Sequence, residues 1–203
     1  MANEDANHAK TEDLVSYIVD RLSGRIGRTM VLKLLYLTDL EARRYLGHPI
    51  THLEYRLYFY GPFDAEIYRA LELLRDSGEI AEELVHYPAA SAYRYSTLRP
   101  GRTHNLSRTE EALVAHVLNT YAPQTLDDVL DTVYDTEPMR RAQEAGLNSR
   151  IPMECVDNEM RISLGGIDLE RALAAEDNAS RRRSVPWIEL RRELLDRSRR
   201  AGS

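Results

Sequence analysis

The stretch Tyr60-Gly61-Pro62-Phe63 constrains this chain more than any other, because the hydrophobic period changes across it. Upstream, Leu53, Tyr55, Leu57 and Phe59 alternate with Glu54, Arg56, Tyr58 and Tyr60, the period of two of a strand with unlike faces. Downstream, Phe63, Ile67, Leu71 and Leu74 recur at helical spacing. The pattern predicts a strand over 53–60 and a helix over 62–77. Gly61 allows the sharp turn, and Pro62 suits the first helical turn, where φ is already helical and no N–H is needed. Asp64 and Glu66 then lie near the positive end of the helix dipole.

The flanking segments are mainly helical. Thr11 reads as an N-cap for a helix with Leu14, Ile18 and Leu22 on one face, ended by Gly24. Thr29 can cap a helix that is apolar nearly all round from Met30 to Leu40, as central buried helices are. Glu79–His86 and Tyr93–Leu98 read as a hairpin around Pro88-Ala89-Ala90-Ser91. Ser107 with Glu110 makes a capping-box pattern, and further helices start near Thr125 and Thr136. The fold expected is mainly α (α+β): a helical domain with a small antiparallel three-stranded sheet, built from the 53–60 strand and a wing-like hairpin over 79–98. Residues 1–149 form the domain. Residues 150–203 form a C-terminal extension with an Arg-rich amphipathic helix from Pro186 carrying Trp187, Leu190 and Leu194. Its Trp187 stripe could support a helix-mediated homodimer.

Charge is unevenly spread. Eight arginines in residues 180–203 stand against Glu189, Glu193 and Asp196, a balance of +5, within a chain of net charge −6. The acidic remainder repels nucleic-acid phosphate, which leaves weak, nonspecific nucleic-acid binding to the tail alone. The single cysteine, Cys155, rules out an intramolecular disulfide and a cysteine-based zinc site, and fits a cytoplasmic location. No apolar run is long enough for a signal peptide or a membrane span.

Chemistry is sparse. The six histidines have no metal spacing: His48 and His52 are four apart, but Pro49 lies between them. No nucleophile–base set, paired carboxylates or phosphate loop is visible, so neither catalysis nor a cofactor is expected. Lys33 and Asp39 interrupt the apolar helix about 120° out of phase, so they do not face each other. Each needs a partner elsewhere, with Arg56 and Glu66 as candidates. The result is either a charge network that locks elements together or a polar cleft beside Tyr36, Tyr58 and Tyr60.

Twelve tyrosines against two phenylalanines favour contact surfaces, since tyrosine joins a large apolar area to a polar tip. Arg56, Tyr58 and Tyr60 share one face of their strand, and Tyr93 and Tyr95 share one face of theirs. Together they form either an Arg/Tyr platform for a protein or single-stranded bases, or an ordinary covered sheet face. The helix-then-hairpin order also imitates a winged helix. Yet that helix carries Asp64, Glu66, Glu72 and Asp76 against Arg69 and Arg75, a poor match to DNA phosphate.

The ordered blocks Lys33-Leu34-Leu35-Tyr36-Leu37-Thr38-Asp39, Tyr55-Arg56-Leu57-Tyr58-Phe59-Tyr60-Gly61-Pro62 and Glu66-Ile67-Tyr68, followed by Val133-Tyr134-Asp135-Thr136-Glu137-Pro138, resemble the Panacea domain of SocA-like antitoxins from bacteria and phages. The resemblance covers roughly residues 10–145. It implies a protein-interaction module that neutralises a cognate toxin by direct binding. The alternative is a nucleic-acid-binding regulator with a winged-helix-like core or an Arg-rich tail. Under the first reading the contact set is Lys33, Tyr36, Asp39, Arg56, Tyr58, Tyr60, Gly61, Pro62, Glu66, Tyr93 and Tyr95.

Overall fold

The computed structural model describes residues 2–22, 26–87 and 90–156. These residues form α1 (Ala2–Arg21), β1 (Ile26–Gly27), α2 (Arg28–Leu46), β2 (Arg56–Tyr58), β3 (Gly61–Phe63), α3 (Ala65–Asp76), β4 (Ile80–Tyr87), β5 (Ala90–Thr97), α4 (Arg108–Tyr121), α5 (Leu126–Tyr134) and α6 (Glu137–Ala145), then a short 3₁₀ turn at Met153–Cys155. The fold is mainly helical with a small antiparallel three-stranded sheet, as the periodicity predicts.

The central element is α2. Its residues from Val31 to Ala42 are buried, and it packs against α1, α4 and α5. A helix apolar on every side has no solvent face to offer, so neighbours must enclose it. Leu14, Val15 and Ile18 of α1, Leu113 and Val117 of α4, and Val129 and Val133 of α5 contribute to the same core. Gly47 ends α2 in the left-handed conformation.

Three local expectations change. The third strand of the sheet is Ile26–Gly27, paired with Tyr95 and Arg94 of β5, giving the order β1-β5-β4. The 53–60 stretch instead forms its own hairpin, β2 with β3. Pro62 therefore lies in β3 opposite Leu57, not in a helix. Proline is tolerated there because β3 pairs on one side only and needs no N–H on the other. Asp64 is the N-cap of α3, accepting from the Glu66 amide, and its other carboxylate oxygen accepts from the Glu54 amide.

The first helix also begins earlier than the Thr11 cap predicts. Thr11 is a buried residue inside α1. Lys10 pairs with Glu110 of α4, and His8 lies 2.6 Å from Glu66 of α3. These tertiary contacts hold a polar stretch that local signals alone would leave outside the helix. The capping boxes at Ser107–Glu110 and Thr125–Asp128 form as the spacing predicts.

The segment after α6 returns to the body. Leu57 donates its amide to the Ser149 carbonyl, Asn148 donates to Leu57, and Ile151 donates to Tyr55. Ile151 is buried with the core. The helix expected from Pro186 lies outside the described residues.

Candidate partner-binding site

The β2–β3 hairpin is built on its turn. Gly61 has φ +87°, a conformation that side chains other than glycine rarely adopt, and a Cβ there would stand 3.2 Å from Lys33 Nζ. The hairpin is thus pressed onto α2, and Gly61 and Pro62 are buried. Lys33 is only 1% exposed, and it donates to the Pro62 carbonyl at 2.9 Å. Burial lowers its amine to about pKa 7.

Asp39 is equally buried and plays a different part. One carboxylate oxygen accepts the amides of Ile50 and Thr51, each at 2.9 Å. The other accepts the hydroxyls of Thr51 and Tyr55. Asp39 thereby fixes the loop between α2 and β2, a segment with no secondary structure of its own to satisfy its amides. Burial pushes its carboxyl upward against the pull of these four donors.

Neither charge meets Arg56 or Glu66, the partners suggested by sequence. Arg56 donates to the Asn148 carbonyl on the surface, and Glu66 faces His8 and Arg69. No polar cleft joins Lys33, Asp39 and Glu66: the first two are sealed in the core, each locking a separate segment. Tyr36 is also buried, its hydroxyl 2.7 Å from Thr136 Oγ1 and its ring edge-on to Tyr55. Lys33, Tyr36, Asp39, Gly61 and Pro62 therefore stand behind the surface rather than on it.

The surface itself is aromatic. Tyr58 is 46% exposed; its ring centroid lies 5.4 Å from Phe63 and 5.1 Å from Phe59. Phe63 meets Tyr68 of α3 edge-on at 5.2 Å. The Arg28 guanidinium then lies 4.7 Å from the Tyr68 ring centroid and 4.0 Å from that of Tyr93 on β5. Tyr68 is 36% and Tyr93 39% exposed. Tyr93 in turn pairs across the sheet with the exposed Leu84 of β4. One continuous ridge, Tyr58–Phe63–Tyr68–Arg28–Tyr93–Leu84, thus connects two hairpins that are far apart in sequence. Tyr60, half exposed, lies in the turn of the first hairpin.

Arg28 is held from below. Its Nε donates to Tyr95 Oη at 2.8 Å, and a terminal nitrogen pairs with Glu82. Tyr95 Oη donates to the same Glu82 at 2.7 Å, and Arg75 takes the other carboxylate oxygen at 3.1 Å. Partial burial would raise the Glu82 carboxyl, but bonds from Tyr95, Arg75 and Arg28 outweigh it and hold it below the usual carboxylate range. Tyr95 is buried beneath Arg28, so it supports the platform while Tyr93 presents itself on it.

The sequence offered Arg56, Tyr58 and Tyr60 with Tyr93 and Tyr95 as either one Arg/Tyr platform or an ordinary covered sheet face, and gave no place there to Arg28, Phe63, Tyr68 or Glu82; Tyr95 proves to be buried. Tyr68 could have been found: it falls off the Ile67–Leu71–Leu74 face of α3, on the side that should be polar. Arg28 carries no local signal, since its two rings lie 40 and 65 residues away in the chain.

The family model described as "Antitoxin SocA-like, Panacea domain" matches residues 31–138. That span holds α2 from Val31 onward, everything through α5, and every ridge residue except Arg28. No curated protein and no solved structure matches the chain.

Proposed function

This chain belongs to the antitoxin SocA-like, Panacea-domain family, and from that premise we propose that it neutralises a cognate toxin by direct contact through the aromatic ridge, without catalysis. The observation that carries the reading is the unbroken run of ring contacts from Tyr58 to Tyr93, joined by one stacked arginine, with Tyr58, Tyr68 and Tyr93 exposed and Phe63 and Arg28 partly buried between them. Tyrosine and arginine are the residues that most often carry binding energy in protein interfaces. These rings are already fixed by each other, so docking immobilises few side chains and loses little entropy.

Charge narrows the partner. The Arg28 charge is answered by Glu82, and the chain as a whole is acidic. An apolar, aromatic centre in an acidic body suits a partner with an apolar contact area in a basic surround, such as a toxin surface that handles phosphate or nucleic acid. Nucleic acid itself is disfavoured at this face. Of the helix that a winged-helix reading would place in the groove, the first turn carries Glu66 beside the Asp64 cap.

The test is co-expression with the product of the adjacent open reading frame. Toxicity of that product, relieved by this chain and accompanied by co-purification of the two, supports the reading. A harmless neighbour that forms no complex contradicts it.

A further inference from the structure

Among the described residues, Lys33 is the one buried cation, and its acceptor is a carbonyl of the β2–β3 hairpin. Its Nζ reaches Pro62 O from inside the core, directly beneath Gly61. Tyr134 of α5 brings its ring edge to the same turn, 3.5 Å from where a Gly61 Cβ would stand. An ammonium has three N–H donors, and this carbonyl serves one of them. The charged groups on the surrounding elements are engaged elsewhere. Asp39 of α2 holds the 50–51 loop. Asp64 beside β3 caps α3, and Arg56 of β2 holds the Asn148 carbonyl. Asp13 of α1 accepts from Asn105. Glu110 of α4 pairs with Lys10, and the Asp128 carboxylate of α5 accepts from the amide and hydroxyl of Thr125, the N-cap of its own helix.

The hairpin's own ladder is short, and β3 is its outer strand. Its two strands share three residue pairs. β2 is tied on its other side to the 148–151 segment, whereas the Lys33 bond is what reaches β3 from the helix beneath. Segments with few such ties open locally at low free energy.

We propose that Lys33 is a proton-linked latch on the β2–β3 hairpin: the neutral amine holds the Gly61–Pro62 turn against α2, and the ammonium drives the turn outward to be hydrated, carrying Tyr58 and Phe63 of the ridge with it. The proton comes from solvent; its arrival breaks the Lys33–Pro62 hydrogen bond, and the outward turn then loosens the three-pair β2–β3 ladder, which exposes its amides to exchange. The inference stands on the hairpin geometry alone and does not depend on the antitoxin reading. The direction follows from burial. The closed state disfavours the charged form, with the amine lowered from 10.5 to about 7. Closing is therefore most favourable at high pH, weakens as pH falls across that window, and levels off below about 7.

Hydrogen exchange on the full chain, without partner, tests this. The 56–63 segment is followed between about pH 9 and pH 6, with rates corrected for intrinsic exchange, beside the α4 segment 113–118 as a measure of global unfolding. The latch predicts that the hairpin exchanges faster than α4. Its opening constant should rise by on the order of tenfold per unit of pH lowered, flattening below about pH 7. Lys33→Met should abolish that slope. A pH-independent hairpin, a slope that survives in Lys33→Met, or hairpin and α4 exchanging together would each overturn the proposal. If Lys33→Met does not fold, the wild-type profile decides alone.

Discussion

Arg28 lies 4.0 Å from the ring centroid of Tyr93 and 4.7 Å from that of Tyr68, so a single guanidinium at the start of α2 fastens α3 to the β4–β5 hairpin. Its edge is meanwhile bonded to Tyr95 and Glu82. Position and charge compensation thus come from the same residue. Arg28→Ala removes three ring contacts, the hydrogen bond to Tyr95 and one ion pair that is partly screened by solvent. It should lower stability by about 1–2 kcal/mol, read by urea unfolding. Arg28→Lys should recover little of this, because an ammonium cannot lie flat on two rings while holding Tyr95 and Glu82. Full recovery by lysine would show that charge alone matters there.

Asp39 offers a sharper contrast between two substitutions. Asp39→Ala leaves the buried amides of Ile50 and Thr51 without acceptors and should destabilise by about 3–5 kcal/mol. Asp39→Asn keeps an oxygen for the two amides. On its other side, the hydroxyls of Thr51 and Tyr55 can rotate to accept from the new amide group. Its loss should be nearer ~1 kcal/mol. Equal losses in thermal or chemical unfolding would mean that the carboxylate charge, rather than its acceptor geometry, holds the loop.

Gly61 should resist any side chain. Gly61→Ala places a residue at φ +87° and brings a Cβ to 3.2 Å from Lys33 Nζ. The expected loss is about 1–3 kcal/mol, from backbone strain together with displacement of the lysine. Gly78 has a similar φ of +70° but nothing within 4 Å of its would-be Cβ. Gly78→Ala should therefore cost less, and the difference between the two reports the crowding at Lys33.

The sequence was legible where the signal was local. The Ser107–Glu110 and Thr125–Asp128 boxes satisfy amides within one helical turn, so three-residue spacing suffices to find them. The buried character of α2 follows from its lack of a polar face. The hairpin over 79–98 follows from two strand-like runs around a short turn. What failed depended on contacts between distant segments. Ile26–Gly27 is too short to show any period, yet it completes the sheet because Tyr95 and Arg94 leave an edge beside it. Pro62 looked helical because proline suits a first turn, and only the pairing with Leu57 makes it a strand residue. At the site, the tyrosines were visible as a class, but their order was not. Burial divides Tyr36 and Tyr95 from Tyr58 and Tyr93, and the residue that joins the exposed ones, Arg28, is set by tertiary packing.

Arg56 gives a test of how far the contact surface extends beyond the ridge. It is exposed, and its visible tie is the bond to the Asn148 carbonyl. Arg56→Glu should leave the melting temperature within a few degrees of wild type. If partner contacts extend along the exposed face of β2 from Tyr58 to Arg56, complex formation weakens. Unchanged affinity would end the interface at Tyr58, on the side running through Tyr68 to Tyr93.

The most direct test of the central claim is the affinity of the adjacent gene product for wild-type chain and for Tyr58→Ala/Tyr93→Ala, measured by titration calorimetry, with unfolding curves for both. These rings sit at the two ends of the aromatic part of the ridge and are substantially exposed, so their loss should change stability by no more than ~1–2 kcal/mol. The account predicts a complex at least about a hundredfold weaker and a matching loss of growth rescue. Wild-type affinity in a folded double variant would contradict it and place the toxin contact elsewhere on the chain.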